Sequence, residues 1–186
     1  MRKILIIITM LMTIITMGQT QLYKGFTEGM TTSEAMRELK KNKKRYKDID
    51  FGKGIKWQVF KNKVSFEADD NSLVGVNFIG NDYYGQGFTG QAGFLALEQT
   101  ANVLLEKGYE VYLENEDWKY PHYWERNNYA YGLMLLSPDK TKVVHLYYTG
   151  TSIMATMTIK SLTQIEKEFK EFKEDQSETA SGLEGF

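Results

Sequence analysis

Cysteine is missing from all 186 residues, which removes a lipid anchor on Cys, a disulfide framework and a thiolate metal site at one stroke. Histidine is nearly as scarce, with only His122 and His145, and neither stands in an HExxH sequence. Without a Gly-x-Ser-x-Gly elbow or a Cys/His pair, nucleophilic and zinc hydrolase chemistry have no support in the residues. Paired carboxylates stay open, because acids are too common for their pairing to be read from a sequence. The 23 Lys+Arg and 24 Asp+Glu nearly balance, so the cationic excess of a dedicated nucleic-acid binder is lacking. After residue 17 no apolar run is long enough to cross a bilayer, which takes about 20 residues.

The first residues are of another kind. Arg2 and Lys3 precede an apolar run from Ile4 to Met17, followed by the small or polar Gly18, Gln19 and Thr20. This is the form of a signal peptide, with Thr16 and Gly18 placed for cleavage after residue 18. The expectation is an exported chain, periplasmic or extracellular, with no stable membrane insertion once the leader is gone. Losing Arg2 and Lys3 would move the formal charge from −1 to −3. The 12 Tyr, 10 Phe and 3 Trp favour a sheet with a well-populated surface.

Hydrophobic periodicity predicts an α+β protein. Thr31-Thr32-Ser33-Glu34 is an N-cap region for a helix to about Tyr46, ending in the basic run Lys40, Lys41, Lys43, Lys44, Arg45, which reads as a solvated helix end. From Ile49 the period becomes two, through Ile55, Trp57 and Val59 and then a hairpin over Val64–Gly80. A second helix is expected from Gln91 to Lys107, closed by Gly108. Strands at 109–113, 129–136 and 153–159 and a helix from Leu162 to about Glu174 complete the pattern. Seventy residues after Val64–Gly80, the stretch Met134–Gly150 repeats the order of apolar strand, turn and apolar strand, with Asp69/Asp139, Val74/Val144 and Gly80/Gly150 identical. The organisation expected is a leader (1–18), a first α+β unit (22–80), a Gly-rich linker (81–90), a second unit with the C-terminal helix (91–174) and a disordered tail (175–186). That is two related helix-plus-antiparallel-sheet units in tandem.

Three features carry chemistry. Gly85-x-Gly87-x-x-Gly90 opens the second helix, with Glu110 and Glu114 downstream. The dinucleotide fingerprint needs a tight turn from the preceding strand, however, and Ile79 ends that strand too early, so a flexible linker is the better reading. His145 shares a strand face with Val143 and Tyr147, opposite the core face. The segment Trp118-Lys119-Tyr120-Pro121-His122-Tyr123-Trp124 is the richest in rings and falls where the second copy has extra residues, so it belongs to a loop. Trp118, Tyr120, His122, Tyr123 and Trp124, with His145 and Tyr147, form the candidate binding surface, since Tyr and Trp dominate interface energetics. His122 and nearby acids match no defined ligand set, so neither a metal nor a cofactor is expected.

The run Gly25-Phe26-Thr27-Glu28-Gly29-Met30-Thr31-Thr32-Ser33-Glu34-Ala35 resembles the G-M-T-x-x-E-A/V opening of small exported α+β domains. These include the beta-lactamase-inhibitor-protein-like group and the outer-membrane assembly lipoproteins of the SmpA/OmlA type. The tandem layout is similar to that of the inhibitor group, and the resemblance implies binding of another protein across a concave sheet. This chain lacks the lipid-bearing Cys of the lipoproteins and the cysteines of the inhibitors, so neither family's partner carries over. The reading is an exported, non-catalytic protein that binds a protein or cell-envelope component, not nucleic acid. The rival readings are a small envelope hydrolase using carboxylates near His122 or His145, and a glycan-binding module.

Overall fold

The computed structural model describes residues 19–59, 66–80, 90–114, 132–149 and 154–183. Its first elements come from the Gly25–Ala35 run. Strands β1 (Gln21–Tyr23) and β2 (Phe26–Thr27) pair as a short ribbon that buries Leu22 and Phe26. Helix α1 (Thr32–Lys41) starts at a capping box: the Thr31 hydroxyl accepts from the Glu34 N–H at 3.2 Å, and the Glu34 carboxylate accepts from the Thr31 N–H at 2.9 Å. Such a cap stabilises a helix by about 1 kcal/mol. The helix expected to reach Tyr46 instead ends at Asn42, and residues Lys43–Tyr46 tighten into a 3-10 turn. Tyr46 is the cause. It turns inward against Phe26, ring centroids 4.7 Å apart, and its hydroxyl donates to Glu38, a residue from which a continuing α-helix would carry it about 12 Å along the axis.

Eight further strands form one antiparallel sheet among the described residues: β3 (Ile49–Asp50), β4 (Lys56–Val59), β5 (Phe66–Asp69), β6 (Ser72–Gly80), β7 (Glu110–Glu114), β8 (Leu133–Leu136), β9 (Lys142–Thr149) and β10 (Met154–Ser161). The order is β3-β4-β6-β10-β9-β8-β7, with β5 following β4 along the same edge of β6. Helix α2 (Gly90–Glu106) carries the chain from β6 to the far edge strand β7. It ends where Gly108, at φ +84°, allows the reversal that other residues resist. Helix α3 (Leu162–Leu183) is capped by the Ser161 hydroxyl, which accepts from the Gln164 N–H at 3.1 Å. It runs nine residues past Glu174, through most of the segment expected to be a disordered tail. No helix among the described residues is long and apolar enough to cross a membrane.

Alternation assigns the two faces of the sheet. Val76, Phe78, Leu133, Leu135, Val144, Leu146, Ala155, Met157 and Ile159 lie in one core with Ala35 and Leu39 of α1 and Leu97, Ala101 and Leu104 of α2. Trp57 is fully buried there, its indole N–H donating to the Thr100 hydroxyl at 3.0 Å. The opposite face forms a second, smaller core in which Met134 and Val143 meet Ile165 of α3. The molecule is therefore α+β with helices on both sides of its sheet.

The two echoing hairpins share this sheet. Strands β6 and β9 both pair antiparallel with β10, one on each side, and their partners β5 and β8 lie on the sides away from β10. Both hairpins bury the same face, as the periodicity predicts, yet with outer strands on opposite sides they have opposite hand, and no rotation superposes them. They differ in detail too. A bulge at Val74, facing the Glu67/Ala68 step, shifts the phase of β6 so that Leu73 takes the buried position and Val74 is half exposed. In β9 the corresponding Val144 stays in the core. The Gly-rich stretch 81–89 and residues 1–18, read as a leader, lie outside the described residues.

Candidate functional site

The polar face of the central strands is built row by row. In β10, Thr156, Thr158 and Lys160 point away from the α1/α2 core, and the pairing sets Thr158 between Asn77 of β6 and His145 of β9. The next row holds Tyr147 opposite Thr156, and the row on the other side places Lys160 beside Gly75. Thr156 and Thr158 are buried, at 4% and 1% exposure. Polar groups so placed need partners.

Those partners are present. The Thr158 hydroxyl donates to Asn77 Oδ1 at 2.7 Å, so the Tyr147 hydroxyl, 3.0 Å away, donates to Thr158. The result is a directed relay, Tyr147 to Thr158 to Asn77. Burial pushes the Tyr147 hydroxyl above its ordinary pKa, which keeps it a donor. Two residues along β9, the His145 ring stacks on Tyr147 with centroids 4.2 Å apart and planes 19° apart. The Gly132 N–H donates to His145 Nε2 at 3.2 Å, so a neutral ring carries its proton on Nδ1. A side chain at residue 132 would drive its Cβ to 1.8 Å from the Leu146 carbonyl oxygen; glycine is what lets this backbone approach the ring. Desolvation, helped by the Lys160 charge, lowers the His145 pKa to about 3, and the ring is uncharged at neutral pH.

Lys160 adjoins this group. Its ammonium bridges Glu67 of β5 at 2.5 Å and both carboxylate oxygens of Glu168 of α3 at 2.9 Å. Burial disfavours the charge on Lys160, but the two carboxylates outweigh it and hold the pKa above the ordinary lysine value. The chain reaches Glu67 by lying across Gly75, where an added Cβ would sit 3.2 Å from Lys160 Cγ. Gln164 steadies Glu168 with a 2.7 Å bond, and the network ties α3 to the sheet.

Of the residues singled out in the sequence, the structure brings His145 and Tyr147 together as a stacked pair. Trp118, Tyr120, His122, Tyr123 and Trp124 lie outside the described residues. Asn77, Thr158, Lys160, Glu67 and Glu168 were missed, because alternation alone marks Thr156, Thr158 and Lys160 as a solvent side. Their signal was faint: Thr-x-Thr-x-Lys on one strand and a glycine at 75 where the echoing strand carries His145.

His145 gains a proton only near pH 3, a backbone amide donates to its Nε2, and Glu67 and Glu168 are held by Lys160. No cluster of three or more His, Asp or Glu among the described residues is placed to hold a metal ion. No protein-family model, curated protein or solved structure matches this chain, and its functional reading rests on this geometry.

Proposed function

We propose that the chain is an exported, non-catalytic binding protein that recognises a protein or cell-envelope component through the His145/Tyr147 sheet face and the aromatic segment Trp118–Trp124. The observation that carries the reading is the rigid, uncharged His145–Tyr147 stack set beside the Tyr147–Thr158–Asn77 relay. Flat rings fixed at low entropic cost next to oriented hydroxyls and amides are what an interface uses to combine contact area with directional bonding. The signal-peptide form of residues 1–18 supports export, and among the described residues no carboxylate is bonded to His145, which weighs against the hydrolase. The test is cross-linked capture from an envelope fraction by the full chain. The reading requires a partner that is lost on Tyr147→Ala and on joint Trp118→Ala and Trp124→Ala, with the circular dichroism spectrum unchanged. It fails if those variants capture the same partner, or if a hydrolytic turnover disappears on joint His122→Ala and His145→Ala.

A further inference from the structure

Helix α1, which carries Ala35 and Leu39 into the core, has a different composition on its outer side. Between residues 37 and 47 stand seven cations, Arg37, Lys40, Lys41, Lys43, Lys44, Arg45 and Lys47, and one acid, Glu38. The rest of the chain is left with 16 Lys+Arg against 23 Asp+Glu. All seven cations are exposed, and none makes an ion pair among the described residues. Glu38 is engaged by the Tyr46 hydroxyl and by Asn42, so the one carboxylate of this stretch is turned to internal bonds.

Helical geometry gathers these charges. At 3.6 residues per turn Arg37, Lys40 and Lys41 fall within about 100° of one another, on the side away from the buried Ala35 and Leu39. Lys43, Lys44 and Arg45 follow in the 3-10 turn whose Tyr46 points inward. Stability does not account for the cluster. Cations complement a helix end only within its last turn, here Lys40 and Lys41, and like charges at i,i+3 and i,i+4, as in Arg37/Lys40 and Arg37/Lys41, work against the helix. Such a stripe suits a partner that carries many anionic groups at close spacing. Its surroundings narrow the kind of partner. Tyr46, the one aromatic residue of 37–47, is 1% exposed, which leaves no ring to stack on an unpaired base. The exposed large hydrophobics among the described residues are Leu95, Leu105 and Val111, on α2 and β7, so nothing of that kind on α1 is placed to enter hydrocarbon.

We propose that the outer side of α1 and its 3-10 turn is a peripheral docking surface for an anionic phospholipid bilayer, held by Lys and Arg contacts to lipid phosphates without insertion. The choice of lipid over nucleic acid rests on the export proposed above, whereas vesicle binding needs no export, so the two can fail separately. Ala35 and Leu39 pack on the sheet face opposite His145 and Tyr147, so a chain resting on lipid by this stripe turns the His145–Tyr147 pair away from the bilayer. Flotation of the full chain with vesicles tests it. Vesicles of phosphatidylcholine and phosphatidylglycerol in equal parts should carry the chain at low salt and release it at high salt, and vesicles of phosphatidylcholine alone should leave it behind. Each basic residue at such a surface is worth about fivefold in binding, so joint Lys40→Gln, Lys41→Gln, Lys43→Gln and Lys44→Gln should weaken it by about a hundredfold or more. Arg at the same four positions should retain it. Joint Lys53→Gln, Lys56→Gln, Lys140→Gln and Lys167→Gln removes the same charge from cations that are already ion-paired and should weaken it far less. Circular dichroism will confirm that the variants fold. The proposal is overturned if phosphatidylglycerol makes no difference, if the two sets of Gln replacements lose binding equally, or if the Arg replacements lose it too. A chain that ignores vesicles yet binds double-stranded DNA or poly-glutamate through the four lysines assigns the stripe to another polyanion, which also overturns it.

Discussion

Ala155, Met157 and Ile159 of β10 face α1 and α2, while Thr156, Thr158 and Lys160, each one residue away, face the side of α3. The hidden positions are alike in exposure: Met157 is at 0% and Thr158 at 1%. They are held by different forces. Met157 is stabilised by area removed from water and by close packing. Thr158 gains little from that transfer and is kept in place because leaving its hydroxyl unbonded would cost more than bonding it to Asn77 and Tyr147. The apolar side tolerates volume-conserving exchange, whereas the polar side specifies partners one by one, which suits it to presenting the His145–Tyr147 pair in a single orientation.

The largest expected break in this comparison is Lys160→Met. It would leave Glu67 and Glu168 near one another without their cation and should cost about 3 kcal/mol in a denaturant titration. That is the low end for a buried pair, because the two glutamate side chains are 33% and 36% exposed. A loss below about 1 kcal/mol would show that water already supports the carboxylates. The same variant should raise the His145 pKa, as it removes one of the two causes of its depression.

Acid should expose the polar side next. The His145 pKa is about 3 in the folded chain and about 6.5 when unfolded. Between those values the unfolded state binds the extra proton, so the contribution is complete above about pH 6.5 and is lost as pH falls toward 3. Stability should fall by up to about 1.4 kcal/mol per pH unit, or about 2 kcal/mol between pH 6.5 and pH 5, a window above ordinary carboxylate titration. Urea midpoints across that window should flatten in His145→Phe. A native chain with no slope there would mean that His145 is solvated, and the two faces would be less alike in burial than described.

Thr158→Val sharpens the contrast with the smallest change in shape. It should destabilise by about 1–2 kcal/mol, because Tyr147 and Asn77 each lose a partner. A neutral or stabilising result, read from the thermal midpoint, would show that packing holds both sides of β10.

Much of the fold was legible because its signals are local. Thr31 and Glu34 stand three residues apart and form the predicted cap; Gly108 ends α2 as its position suggests; Ile165 and Phe169 fall on the apolar side of α3. Tyr46 was misplaced because a helical pattern does not reveal that a ring will turn inward toward Phe26. The phase of β6 was misread at Val74 because a bulge there puts Leu73, not Val74, on the face that Val76 and Phe78 share. Half of the candidate site was legible too. His145 and Tyr147 are two apart on a strand and share a face by geometry alone, whereas Lys160 meets Glu67 across Gly75, a contact made between three strands.

Composition and period decided that this chain is α+β, where its helices begin, and which residues alternate, since caps and side-chain alternation depend on neighbours within a few positions. Only the tertiary structure decided that β10, the last strand, enters between β6 and β9 and gives their hairpins opposite hand. It also decided that the threonines of β10 are buried rather than wet. Strand order and burial of that kind follow from pairing between distant segments, and no short window of residues carries that information.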